Sequence, residues 1–304
     1  MKTPLLTHPL IASYSEMSEN ERKFVLDTIA THKPRKILEL GIAAGANSVL
    51  ILDFLREQNL LESTQLHSCD YNATYYHHNT SNGYYQVKVA HGGGANNSLS
   101  GFLVQELVPE LQNKWHLHTG GLVANHLDNI GKDIDLCIID TVHSAPGEVL
   151  DFLMVLPYLS KNAVIIMHDL VFHIFAEKNS SICALLFQAL QGRKVFPPFD
   201  EPLQNIGSCV LADLTPSHIQ QYFRILNFPW CYIPNDKDLQ VFRNWIVKHY
   251  EPSFSVMFDR FVEIQRKWQK RENPLKRATK KLLKKIIPQR FHPFAKRIKA
   301  KLFG

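Results

Sequence analysis

KILELGIAAGANS, residues 36–48, is the stretch on which the reading of the chain turns. Residues 36–41 make a short apolar strand that ends on a glycine, and from about Ser48 the apolar spacing becomes helical. Gly41 and Gly45 let the backbone turn tightly and approach a ligand where a Cβ would clash. The helix that follows offers its first N–H groups to an anion or a carboxylate. The stretch is not a phosphate-binding P-loop, because no Lys-Ser/Thr follows the second glycine. Nor is it GxGxxG, because Ala43 stands two positions after Gly41. Taken alone, it reads equally well as a tight strand-to-helix turn with no ligand.

Outward from it, the chain alternates. Ser18 and Glu21 form a capping-box signal ahead of Phe24, Val25 and Ile29, which predicts a helix over 18–32 that Pro34 stops. Further strands are predicted at 65–70, 115–120, 134–140, 162–169 and 207–214, with helical spacing over 146–159. This order predicts an α/β fold, a mostly parallel sheet covered on both faces. Residues 73–113 are polar and irregular and receive no assignment. After about residue 216 long helical stretches take over, among them 252–270. The last thirty residues split at Pro288 into two short amphipathic helices. Leu275, Leu282, Leu283, Ile286 and Ile287 mark one face of the first, and Phe291, Phe294, Ile298 and Leu302 that of the second. The expected organisation is a domain over 1–215, a helical extension over 216–273 and a basic tail over 274–304.

Of 304 residues, 45% are hydrophobic and 20% charged, which excludes a wholly disordered or fibrous chain. No apolar run approaches the ~18–20 residues of a membrane-spanning helix, and no signal peptide is read at the N-terminus. Five scattered cysteines without a CxxC predict free, mostly buried thiols in a reducing compartment, hence a soluble cytoplasmic protein. The net charge of +6 is unevenly placed. Residues 274–304 hold eleven Lys and Arg and no acid, which leaves 23 cations against 28 acids, a net −5, in residues 1–273. Lysine-rich faces opposite Leu/Ile/Phe faces suit an anionic membrane surface. Packing on the body or a partner is the alternative, and nucleic acid comes last, since phosphate contacts need no such apolar stripe.

Three strand ends carry candidate chemistry. Asp70 lies 29 positions after Gly41 at the tip of the second strand, where nucleoside-binding folds place an acid on ribose hydroxyls. Asp140 ends the fourth strand, with His143 and Asp151 beyond it, and His168-Asp169 ends the fifth. Two neighbouring carboxylates suit Mg²⁺ or Mn²⁺, and a cation there lowers the pKa of a substrate hydroxyl. The same acids also suit caps for the helices that follow, and spacing leaves both readings open. HGGGANN (91–97) follows no convincing strand, so it reads as a loop. Tyr75-Tyr76-His77-His78 and the pair His116 and His118 read as surface or loop residues without ligand spacing.

LELGIAAGANS, the strand-end Asp70 and IDLCIIDTVHSAPGEVLDFLMVLPYLSKNAVIIMHDL together resemble the class I S-adenosylmethionine-dependent methyltransferases. The likeness is nearest to the macrocin-type sugar O-methyltransferases and cephalosporin-hydroxylase-like proteins, and spans about residues 20–215. The resemblance implies a seven-stranded Rossmann-like sheet with S-adenosylmethionine over Gly41, Gly45 and Ser48. It places Asp70 on the ribose and Glu39 in support of the loop and the methionine end. Asp140, Asp169 and His168 become candidate ligands for a divalent cation, Mg²⁺ in the first instance, beside Asp140 and His143 as catalytic residues, His143 as general base. The implied reaction is O-methylation of a sugar or glycan hydroxyl at the cytoplasmic membrane face. This chain departs from the pattern at Ala43, which has a Cβ where the family loop has glycine and which fits at negative φ. It departs also at Gly121, Val142 and Ala145. Those departures motivate a rival, a non-catalytic binding or assembly subunit of the same fold. A second rival, an NAD-dependent oxidoreductase, lacks its third glycine. A base-amine methyltransferase lacks its Asn/Asp-Pro-Pro-Tyr/Phe signature, the one Pro-Pro lying in VFPPFD.

Overall fold

The computed structural model describes residues 4–75, 99–174, 181–198 and 204–286, the side chains of His173 and of 270–286 aside. The strands are β1 (Lys36–Leu40), β2 (Gln65–Asp70), β3 (Trp115–Thr119), β4 (Ile134–Ile139), β5 (Leu159–Met167), β6 (Gly192–Val195) and β7 (Gly207–Leu211). The helices are α1 (Pro9–Tyr14), α2 (Glu19–His32), α3 (Ala46–Glu57), α4 (Phe102–Leu107), α5 (Leu127–Ile130), α6 (Gly147–Val155), α7 (Ile182–Ala189), α8 (Pro216–Ile225), α9 (Asp236–His249) and α10 (Pro252–Ile286).

The seven strands form one sheet in the order β3-β2-β1-β4-β5-β7-β6. β1 to β5 are parallel, and β7 runs antiparallel to both β5 and β6. This is the Rossmann-like methyltransferase arrangement with a helical C-terminal region. The sequence order reverses between β1 and β4, so a crevice opens at their C-terminal ends, where parallel sheets take their ligands. On one face Ile37, Leu66, Leu136, Ile138, Val164 and Ile166 pack in a core with α2, α3 and α4. Each fully buried aliphatic side chain there contributes about 1.5–3 kcal/mol. Ser18 caps α2 as the spacing predicts: its hydroxyl accepts from Glu21 N, and Glu21 Oε2 accepts from Ser18 N at 2.6 Å.

The chain divides into two compact units, Met1–Val256 and Met257–Gly304. Residues 216–256, an extension by sequence, lie within the first, where Trp245 Nε1 donates to Met154 O at 3.0 Å and Tyr250 Oη to Leu153 O. Three expectations change. β6, GRKV, has no apolar alternation and was not predicted. Within 73–113, Phe102–Leu107 is helical and Pro109–Lys114 forms a 3₁₀ turn. The first tail helix is no separate element, because α10 continues from Pro252 through Pro274 to Ile286. The second tail helix, HGGGANN and Tyr76-His77-His78 lie outside the described residues. Cys69, Cys137, Cys183 and Cys209 are buried free thiols, and Cys231 is exposed. No described helix is long and apolar enough to cross a membrane.

Candidate active site

The loop after β1 is built around two obligatory glycines. Gly41 has φ +83°, and a Cβ there would lie 1.7 Å from Asp140 O. Gly45, at φ +90°, would meet the backbone of Gly101 at 2.8 Å. Between them Ala43 adopts φ +49°, not the negative φ expected for a residue with a Cβ. That left-handed conformation costs about 1–2 kcal/mol, and Asp70 stabilises it. Asp70 Oδ2 accepts from Ile42 N at 3.0 Å and Ala43 N at 3.1 Å, while Oδ1 accepts from Asn72 N at 2.8 Å. Asp70 therefore clamps the loop from the next strand and leaves one lone pair, on Oδ1, for a ligand.

Glu39 is buried beneath this loop and accepts from Asn47 Nδ2 at 3.0 Å, Ser48 Oγ at 2.5 Å and Ser68 Oγ at 2.7 Å. Burial pushes its pKa up, against the pull of the three donors. Ser48 is fully buried and spends its hydroxyl on Glu39, so it supports the loop rather than touching a ligand.

Asp140, His143, His168 and Asp169 converge. Neither acid caps the next helix, since α6 has Pro146 and α7 has Ser181 at the N-cap. His143 (φ +50°) and Asp169 (φ +58°) both hold left-handed backbone, as residues at functional sites often do. Buried Glu148 fixes the turn: its Oε1 accepts from His143 N at 2.9 Å and Thr141 N at 3.2 Å. His143 Nδ1 then lies 2.9 Å from Asp169 Oδ2, 3.6 Å from Glu148 and 3.8 Å from Asp140, without the alignment of a hydrogen bond. His168 Nδ1 sits 3.3 Å from Asp140 Oδ1 and 3.5 Å from Asp169 Oδ2, and Nε2 sits 3.4 Å from Glu21 Oε1. Asn205 Nδ2 donates to Asp169 Oδ1 at 2.9 Å.

One atom each of Asp140, His143 and Asp169 fall within 4.8 Å of one another. Two hard oxygens and an imidazole with a buried, unpartnered Nδ1 fit a divalent cation, and the imidazole suits Mn²⁺ or Fe²⁺ better than Mg²⁺. His168 is not placed as a ligand: both its nitrogens are committed, and it positions the two carboxylates. Nor is His143 poised as a base. Burial pulls its pKa down, but Asp169, Cys183, Glu148 and Asp140 outweigh that and favour the protonated ring, a proton that a cation on Nδ1 would displace. The group tuned to neutral pH is Asp151, pushed up to about 7 by burial and then by Glu148, while Thr141 Oγ1 donates to it at 2.8 Å. Glu21 was read from sequence only as half of a capping box, and Glu148 and Asn205 were not singled out.

Both clusters open into one cavity of about 550 Å³, within the usual size of small-molecule sites. Tyr14 and Met17 line it from the N-terminal side, and Tyr232, Asn235, Asp238 and Phe242 from the segment entering α9. Tyr71 Oη donates to Asp238 Oδ2 at 3.1 Å and joins that segment to the end of β2.

Residues 38–170, from β1 to the end of β5, match the family model for a methyltransferase domain. The chain carries a methyltransferase domain. That domain holds the glycine loop, Asp70, Asp140, His143 and Asp169, whereas Glu21, Asn205 and the Tyr232–Phe242 wall stand outside it. Solved structures similar to the chain include the O-methyltransferase from Bacillus cereus in complex with SAH, 13% identical, covering 69% of this chain and 92% of that one (TM-score 0.44). Another is the Podospora anserina methyltransferase PaMTH1, SAH-bound, 14% identical, covering 68% and 83% (TM-score 0.44). A third is TomG from Streptomyces achromogenes, an O-methyltransferase of tomaymycin synthesis, 12% identical, covering 65% and 82% (TM-score 0.43). At these overlaps the fold assignment rests on the strand order itself. No curated protein matches the chain in sequence.

Proposed function

We propose that the chain transfers a methyl group from S-adenosylmethionine to a hydroxyl, the acceptor being a sugar of a glycan intermediate met at the cytoplasmic membrane face. The observation that carries the cofactor is the charge of the cavity wall. Glu16, Asp70, Asp140 and Asp238 line it, with Glu39 and Asp151 beside them at raised pKa, against His143 and no Lys or Arg among the described lining residues. Such a wall attracts the sulfonium and ammonium of S-adenosylmethionine and repels the pyrophosphate of NAD, which disfavours the oxidoreductase reading. Asp70 Oδ1 has one lone pair left for a ribose hydroxyl, and the glycine loop lets backbone approach the ligand.

Methyl transfer is an in-line displacement, so the protein's task is to orient the acceptor and take its proton. A divalent cation held by Asp140, His143 and Asp169 supplies positive charge that acidifies the acceptor hydroxyl. Asp151, at about 7, is matched to accept that proton near neutrality. His168, Asn205 and Glu148 hold the donor set in place. The sugar acceptor draws its support from the ordered set Asp140, His143, Asp151 and Asp169, and the membrane location from the eleven cations of 274–304.

Calorimetric titration with S-adenosylmethionine, S-adenosylhomocysteine and NADH, with and without Mn²⁺ or Mg²⁺, tests the reading. Expected is binding of both sulfur cofactors, weakened at least tenfold by Asp70→Ala, and no binding of NADH. Absence of sulfur-cofactor binding under every condition sinks the enzyme and leaves a binding subunit with this fold.

A further inference from the structure

We propose that Cys183, with the unpartnered oxygen of Glu148, completes the donor set around His143, so that the centre takes a thiolate-binding transition ion, Zn²⁺, Co²⁺ or Fe²⁺, rather than Mg²⁺. The inference rests on the reading of Asp140, His143 and Asp169 as a cation site and names the ion that site takes.

His143 belongs to two sets of donors. One atom each of His143, Glu148 and Cys183 lie within 4.8 Å of one another, just as those of Asp140, His143 and Asp169 do. Glu148 is only 1% exposed, and Cys183 is buried. Glu148 Oε1 is spent on the amides of Thr141 and His143. Its Oε2 is buried without a hydrogen-bond partner, and so is His143 Nδ1. Buried polar atoms rarely go unpaired, and two of them beside one thiol point to a ligand common to all three. The other buried thiols, Cys69, Cys137 and Cys209, join no such group among the described residues.

The spacing fits an ion. Donors bound at about 2.1 Å to one ion stand about 3 Å apart when adjacent and about 4.2 Å when opposite, and a sulfur at about 2.3 Å stands slightly further. From His143 Nδ1 the carboxylates of Asp169, Glu148 and Asp140 lie at 2.9, 3.6 and 3.8 Å. Cys183 is the second residue of α7, whose first-turn N–H groups favour a thiolate over a thiol. On binding, the ion displaces the thiol proton to solvent. A thiolate selects Zn²⁺, Co²⁺ or Fe²⁺, whereas Mg²⁺ keeps to oxygen donors. Cys183 lies beyond the matched domain, so a segment outside that domain sets the ion.

The test uses the full-length chain without a polyhistidine tag, freed of metal, handled without oxygen and loaded with Co²⁺ or Zn²⁺ alone. Wild type should bind Co²⁺ with an intense sulfur-to-cobalt absorption in the near ultraviolet. X-ray absorption of its Zn²⁺ form should show a sulfur neighbour at about 2.3 Å. Cys183→Ser should lose the cobalt absorption and bind Zn²⁺ at least tenfold more weakly, with Mn²⁺ affinity changed less than threefold. Cys231→Ser, at an exposed thiol, should match wild type. If Cys183→Ser fails to fold, the Zn²⁺ shell of wild type and Cys183→Ala decide. An ion held by nitrogen and oxygen alone, or a sulfur signal that survives loss of Cys183, overturns the inference while the cation site stands. No uptake of Zn²⁺, Co²⁺ or Mn²⁺ overturns both.

Discussion

Replacing Asp151 by Asn changes one atom of a group that the structure marks as unusually protonated, and the effect on stability can be worked from its surroundings. An ordinary aspartate titrates at 3.8, whereas Asp151 is raised to about 7 by burial and by the nearby Glu148 carboxylate. A carboxyl with a raised folded pKa holds its proton more tightly folded than unfolded. Its contribution is therefore complete below 3.8 and is lost as pH rises toward about 7. The slope is about 1.36 kcal/mol per pH unit, which over the two units from pH 5 to 7 approaches 3 kcal/mol. Asp151 also faces the cavity, where solvent screens part of that penalty, so the working figure is about 2 kcal/mol. Asn cannot ionise, and its side-chain oxygen can keep the bond from Thr141 Oγ1. The stability of Asp151→Asn relative to wild type should thus rise by about 2 kcal/mol between pH 5 and pH 8 and level off above. Urea unfolding of both proteins across that range measures it, and taking the difference between them cancels the titrating groups that do not interact with Asp151. A difference that stays flat with pH, or runs the other way, refutes the assignment of a raised value to Asp151. The same variant should lose methyl transfer while still binding S-adenosylhomocysteine, if Asp151 accepts the acceptor's proton.

Two further outcomes are expected. Ala43→Gly removes a Cβ from left-handed backbone, and the relief of about 1–2 kcal/mol exceeds the roughly 0.5–1 kcal/mol of added unfolded-state entropy. The variant should be as stable as wild type or slightly more so in urea, and a clear loss of stability would show that Ala43 has negative φ. Deleting residues 274–304 should abolish co-sedimentation with vesicles containing 30% phosphatidylserine at low salt while leaving cofactor affinity unchanged; equal sedimentation of both forms removes the membrane reading.

The parallel core of the fold was legible because buried strands announce themselves by composition alone. KILEL and IDLCII are short apolar runs closed by glycine or acid, and they stand where read, as do β2, β5 and the capping box of α2. β6 escaped because GRKV is four residues of an antiparallel edge, with Arg193 exposed and Lys194 half-buried, its Nζ donating to Leu190 O. α7 escaped for the opposite reason. ICALLFQA is apolar nearly all round, so it shows no helical period.

The site was legible only as far as strand ends reach. Asp70, Asp140 and Asp169 terminate three strands of a parallel sheet, and topology alone carries strand ends to a common rim. What those residues do there depends on contacts that sequence distance hides. Asp70 binds the loop amides because β2 lies beside β1. His168 turned from candidate ligand to positioning residue because Glu21, far away in a helix cap, and Asn205, beyond the matched domain, both meet its Nε2 while Nδ1 faces Asp140 and Asp169. His143 changed character for a related reason: a lone histidine suggests a base, but among Asp140, Glu148 and Asp169 its ring sits in a donor set that suits a cation. Residue type therefore carries the place of these side chains further than it carries their surroundings. Charge density decided the role, and it is a property of the folded rim rather than of any one strand.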